Sequence, residues 1–136
     1  MTDDNENLID DSEAEEPEAS ESWTDKRRHI RYRVSFKVFI RLSDGSVVNA
    51  QAVDLSMGGI YMEYGAAAEI DREFEIAFDL PFEKEFKRVF AKAKVVRSVV
   101  IGSRNTYGLA FIFTHFNDDS ESILGKYLEL RALQST

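Results

Sequence analysis

The chain contains no cysteine, which removes disulfide frameworks, thiolate metal sites and thiol nucleophiles from its 136 residues. It has no apolar run near the roughly 18 residues that a membrane-spanning helix needs, so no membrane insertion is expected. Residues 1–25 hold no Lys or Arg and no apolar stretch, so secretory targeting is not expected and the cytoplasm is the expected compartment. The only histidines, His29 and His115, are far apart and lack carboxylate or cysteine companions at ligand spacing, so no metal site is expected. There is no Ser/His/Asp arrangement and no phosphate-binding glycine loop ahead of a helix. The pairs Asp10-Asp11, Glu15-Glu16 and Asp118-Asp119 are accounted for by solvation and helix capping rather than paired-acid catalysis. The chain reads as a binding protein, with no catalytic residue and no resident cofactor.

Charge is unevenly distributed. The formal net charge is −8, but eleven of the 25 acidic residues lie in residues 1–25. The 14 that remain face 17 Lys and Arg in residues 26–136, a balance of +3. The first 25 residues have too few large apolar side chains to offset an ordering cost of about 1–2 kcal/mol per residue, and they read as a disordered acidic tail. Residues 26–136 read as one mildly basic domain, opened by a cationic arm with Lys26, Arg27, Arg28, Arg31 and Arg33.

From Tyr32 the apolar residues recur at every second position. Val34, Phe36, Val38, Ile40 and Leu42 point one way, and Arg33, Ser35, Lys37 and Arg41 point the other. The turn Ser43-Asp44-Gly45-Ser46 predicts a returning strand over 47–54, and Ser56-Met57-Gly58-Gly59 precedes a third over 60–64. Residues 65–71 read as a loop with some helical tendency. Further strands are predicted over 74–80, over 86–100 with a bulge or bend, and over 106–113 after a turn at 102–105. Ile123, Leu124, Tyr127 and Leu128 then recur at helical spacing, with Asn117 or Asp118 as cap and Glu121 at capping-box spacing from Asp118. Six short strands and one terminal helix predict a mainly all-β fold, a closed or nearly closed antiparallel barrel with the helix over one opening. Phe36, Phe74, Phe78 and Phe111 are its expected core aromatics.

Two segments carry recognisable chemistry. Arg27-Arg28-His29-Ile30-Arg31 stands just before the first strand, and arginine forks can hold phosphate oxygens, pair with guanine O6/N7 and stack on purines. By itself such a run also reads as a solvated charge cluster. Asp54-Leu55-Ser56-Met57-Gly58-Gly59 sets a carboxylate and a hydroxyl two residues apart, on one side of a strand end, where they can accept guanine N1–H and N2–H. The paired glycines admit a close backbone approach or a positive φ. A serine-type turn with glycines for chain reversal explains the same residues.

Together, Arg27-x-x-x-Arg31 and Asp54-x-Ser56-x-x-Gly59, in this order and separated by one hairpin, resemble the signature of the PilZ family. The resemblance covers about residues 26–116 and includes Tyr107-Gly108-Leu109-Ala110-Phe111, which is similar to that family's final-strand motif. It implies a PilZ-type barrel that binds cyclic di-GMP. It also implies that Arg27 and Arg31 grip phosphate and guanine, that Asp54 and Ser56 read a guanine edge, and that Gly58 and Gly59 shape the turn, with Arg28 as an extra contact. A basic arm that folds over the ligand would then signal to a protein partner.

Two other binding readings stand beside it. A ligand-independent PilZ-like adaptor would lack the signature residues, which this chain retains. A single-stranded nucleic-acid binder would need a basic groove with exposed aromatics, whereas the outward positions here mix Lys, Arg, Glu and Ser. The acidic tail is either a solubilising segment or, tethered beside the arginines, a competitor for ligand phosphates. Competition predicts that deleting residues 1–21 tightens cyclic di-GMP binding, most at low salt where screening is weak. Equal affinity of the two chains at low ionic strength identifies a solubilising tail.

Overall fold

Apolar side chains at alternate positions favour an extended chain that buries one face, and this pattern governs the sequence as far as Phe116. The computed structural model describes residues 29–102 and 105–134. The acidic tail, Lys26, Arg27 and Arg28 lie outside the described residues. The elements are β1 (Tyr32–Arg41), β2 (Val47–Leu55), β3 (Gly59–Tyr64), β4 (Glu73–Pro81), β5 (Phe86–Ile101), β6 (Thr106–Phe116) and α1 (Ser120–Gln134). Each strand pairs antiparallel with its neighbours, and the sheet closes in the order β1-β2-β3-β6-β5-β4. The expected six-stranded antiparallel barrel with one C-terminal helix is therefore the fold. The chain divides into two units, Met1–Ile30 and Arg31–Thr136, and the strands and helix found among the described residues lie in the second.

The inward positions form one continuous core. Val38, Leu55, Met62, Phe78, Leu80, Val89 and Val95 are all fully buried within it. Phe78 stacks on Phe36 with ring centroids 5.4 Å apart and on Phe113 at 6.4 Å. Of the expected core aromatics, Phe78 and Phe111 are buried, while Phe36 and Phe74 are half-buried and pack against the core. The long β5 bends as its length requires, with register shifts between Lys92 and Ala93 and between Val95 and Arg97.

Helix α1 presents Leu124, Tyr127 and Leu128 to the core. It packs at the barrel end that holds the start of β1, the β2–β3 turn and the β4–β5 hairpin. There Tyr127 meets Phe82 edge-on at 6.2 Å, and the Arg131 guanidinium donates to the Arg33 carbonyl at 2.8 Å while lying over the Tyr32 ring. At the first turn of the helix, the Ser120 hydroxyl is almost wholly buried and accepts the Phe90 backbone N–H at 2.8 Å.

Three details differ from the sequence expectation. The helix opens at Ser120, with its first bond running from the Ile123 N–H to the Asp119 carbonyl. Asp118 takes a left-handed φ of 51° and so does not cap it. Residues 65–71 form no helix. Asp71, itself left-handed at φ 74°, donates its N–H to the Val95 carbonyl, so the segment's end is tied into the sheet. Strand β6 runs on to Phe116, because its later residues still find partners along β5.

The Ser120 contact is testable. Ser120→Ala removes the acceptor of the part-buried Phe90 N–H, which destabilises by about 1 kcal/mol. A clear fall in melting temperature is expected, and an unchanged one contradicts this contact.

Candidate functional site

The outer wall of the barrel at the helix-capped end is organised by register shifts on both sides of Val53 in β2, against β3 and against β1 between Arg33 and Phe36. Ala50 and Ala52 are buried, so strict alternation would carry Asp54 inward as well. Instead the β2–β3 register shifts between Ala52 and Asp54, making Val53 an extra residue. The phase reverses there: Leu55 enters the core at 0% exposure, and Asp54 projects from the wall.

Opposite it, β1 sets Arg33 against Asp54 and Tyr32 against Leu55. Arg31, one residue before the strand, is thereby delivered to the same corner. Its Nη1 lies 3.1 Å from the Asp54 carboxylate as a charge-assisted hydrogen bond, with side-chain exposures of 54% for Arg31 and 24% for Asp54. The contact is single. Elsewhere on the wall, Arg88 grips Asp79 with two hydrogen bonds, at 2.8 and 3.0 Å, and these hold the Asp79 carboxyl below its ordinary range. Arg31 and Asp54 thus form a looser pair that each member can exchange for another partner.

Beyond Leu55 the chain turns, and here the serine has a local duty. The Ser56 hydroxyl is buried and accepts the N–H groups of Gly58 and Gly59 at 3.1 and 3.2 Å, while the Ser56 N–H donates to the Gly59 carbonyl. Strand alternation ends at Leu55, so it does not set the direction of Ser56, whose oxygen folds back on the turn. Gly59 is required by close approach rather than by a positive φ. A Cβ there would stand 2.1 Å from the Phe111 carbonyl oxygen on β6. Met57 lies beside the helix, its Sδ 4.0 Å from where a Cβ on Gly125 would stand.

Of the residues singled out by sequence, the fold brings Arg31 onto Asp54 and makes Ser56, Gly58 and Gly59 one turn beside them. Arg27 and Arg28 fall outside the described residues. Two neighbours were not singled out as site residues by the sequence. Tyr61 is the cross-strand partner of Asp54, and Gly108, in the final-strand motif, lies beneath the tip of the Tyr61 ring. The signal available for Gly108 was its place in that motif; Tyr61 becomes visible only with the register. Farther along the same wall, a shallow groove of about 370 Å³ is lined by Lys37, Asn49, Gln51, Glu63, Tyr64 and Thr106, among others.

Among the described residues no group of three or more His, Asp or Glu side chains is placed to hold a metal, and no helix is long and apolar enough to cross a membrane. A closed barrel also offers no open strand edge for a peptide to extend. What it presents at this end is a charged pair on the outer wall of a small β-barrel domain, beside a tightly closed turn.

The comparison with known families gives that class its name. The sequence profile of the PilZ domain matches residues 25–130, and the chain belongs to the PilZ family, the family of cyclic di-GMP receptors. No curated protein matches it. Among solved structures it is similar to the Bacillus subtilis inhibitor of motility MotI/DgrA, with 17% identity, a TM-score of 0.69, and coverage of 82% of this chain and 53% of that one. It is also similar to K. pneumonia MrkH in complex with c-di-GMP, with 20% identity, a TM-score of 0.66, and coverage of 80% and 52%. For Escherichia coli YcgR in complex with c-di-GMP the values are 18% identity, a TM-score of 0.64, and coverage of 81% and 47%. The chain spans about half the length of these proteins, and at such identities the likeness is one of fold.

The two polar residues of the signature should behave differently in the absence of ligand. Ser56→Ala removes the acceptor for two turn N–H groups and should lower stability by about 1 kcal/mol or more. Asp54→Asn breaks only an exposed pair and should stay within about 0.5 kcal/mol of the parent. Chemical denaturation of both variants checks this, and the reverse order contradicts the assignment.

Proposed function

We propose that this chain is a cyclic di-GMP receptor that acts by binding and not by catalysis. The observation that carries the reading is the meeting of Arg31 with Asp54 at 3.1 Å on the outer wall, beside the Ser56–Gly59 turn. The ligand offers what these two groups complement: phosphate oxygens and guanine O6/N7 for the guanidinium, and guanine N1–H and N2–H for the carboxylate. Adenine lacks the N1–H donor and fits Asp54 less well.

Ligand entry is then an exchange of partners. An exposed ion pair is worth less than about 1 kcal/mol, so parting Arg31 from Asp54 costs little. Each group then gains a charge-assisted bond of about 1.5–3 kcal/mol to the dinucleotide. Arg27 and Arg28, earlier in the same arm, supply further cations for a ligand with two phosphates. Gly59 and the buried Ser56 hydroxyl keep the turn tight, so that the ligand meets a fixed surface. In this reading the ordered arm and the occupied wall form the surface that a downstream protein partner recognises, and the compartment is the cytoplasm.

Isothermal titration tests the proposal. The full chain should bind cyclic di-GMP and not single-stranded oligonucleotides. Arg31→Ala and Asp54→Ala should each weaken binding roughly 30-fold, the equivalent of about 2 kcal/mol. No heat with the dinucleotide would favour a ligand-independent adaptor, and preferential binding of oligonucleotides would favour a nucleic-acid barrel.

A further inference from the structure

We propose that Tyr61 is the shelf on which the guanine read by Asp54 stacks, and that Gly108 is the residue that lets the ring lie down on the barrel wall. The proposal rests on the reading of this corner as a cyclic di-GMP site.

Tyr61 is the direct partner of Asp54 across β2 and β3, and both project from the outer wall. Their Cβ atoms are therefore about 4.5–5.5 Å apart. The Tyr61 ring leans across the sheet toward β6. A Cβ on Gly108 would stand 1.8 Å from its hydroxyl oxygen and 2.6 Å from its Cζ, so no other residue type fits beneath it in this position. Gly108 is buried even though it pairs with Glu63 on the outward side, because the ring covers it. Ala110, directly across from Tyr61 on β6, is small too. Two small residues side by side on one face of β6 leave a low floor in front of the carboxylate.

In this proposal the base lies on the outward face of that ring. A base stacked on that face sits about 3.5 Å above the ring. Asp54 can then meet the guanine edge in the plane of the base while Tyr61 covers its underside. Aromatic–base stacking is sequence-tolerant and Asp54 is not, so recognition is divided between them, the ring holding a base and the carboxylate selecting guanine. Covering a sheet glycine with an aromatic ring is also a packing device, and the experiment must separate stacking from packing.

Titration of the full chain with cyclic di-GMP, with a thermal melt of each variant, does so. The stacking role predicts that Tyr61→Leu binds roughly tenfold more weakly at an unchanged melting temperature, within the roughly five- to hundredfold range of such truncations. Tyr61→Phe, which keeps the ring, should restore affinity to within about twofold. If Asp54→Ala loses affinity while Tyr61→Leu binds like the parent, the receptor reading stands and the shelf is overturned. If the parent chain does not bind, both fall together. An affinity loss that tracks a lowered melting temperature in the Leu and Phe variants alike overturns stacking in favour of packing. The ring's placement is tested without ligand: Gly108→Ala should lower the melting temperature and added Tyr61→Leu should restore it, whereas no restoration contradicts the proposal.

Discussion

Two register shifts that meet at Val53, one against β3 and one against β1, set the geometry around the site. Without the irregularity at Val53, the phase that buries Ala50 and Ala52 would send Asp54 into the apolar interior and Leu55 out to solvent. A carboxylate in that interior would have to lose its charge or find a buried partner. With the bulge, Leu55 anchors the strand end in the core, Asp54 faces outward, and the chain enters the Ser56–Gly59 turn already held from below. Bulges sharpen local twist and re-aim side chains, and this one aims a carboxylate at the arginine that precedes β1.

The surrounding contacts hold that corner without filling it. Helix α1 holds the start of β1 through the Arg131 bond to the Arg33 carbonyl, and Met57 of the turn lies beside its Gly125. Gly59 lets β3 lie close against the Phe111 carbonyl, and the Ser56 hydroxyl satisfies two turn N–H groups that would otherwise be left open. None of these contacts uses the Arg31 guanidinium or the Asp54 carboxylate. The rigid part of the site is made of backbone and buried side chains, and its exchangeable part is one exposed ion pair. This division suits a receptor, which needs fixed geometry and partners that change on binding.

Much of this was legible in the sequence, because alternation is a local property. The run from Val34 to Ile40, the Ser43–Ser46 turn and the helical spacing of Leu124, Tyr127 and Leu128 each report their own segment. The nearness of Arg31 and Asp54 was legible only through the paired motifs and the hairpin between them. What was not legible depends on register between distant strands. Asp54 falling in step with Ala50 and Ala52 was a sign of a phase slip, but nothing local located it at Val53. The packing of Tyr61 over Gly108 joins strands more than forty residues apart in the chain. The helix start was displaced for a backbone reason: Asp118 adopts a left-handed turn that no side-chain spacing announces.

The central claim is that the dinucleotide is bound on the outer wall at the corner of Arg31, Asp54 and the Ser56–Gly59 turn. Amide chemical-shift mapping of the isotopically labelled chain during a cyclic di-GMP titration tests it most directly. Shifts concentrated at Arg31, Asp54 through Tyr61 and the facing part of β6, with the Asp44–Ser46 turn at the opposite barrel end unmoved, are the predicted result. Shifts centred on that opposite end, or none at all at saturating ligand, would contradict it.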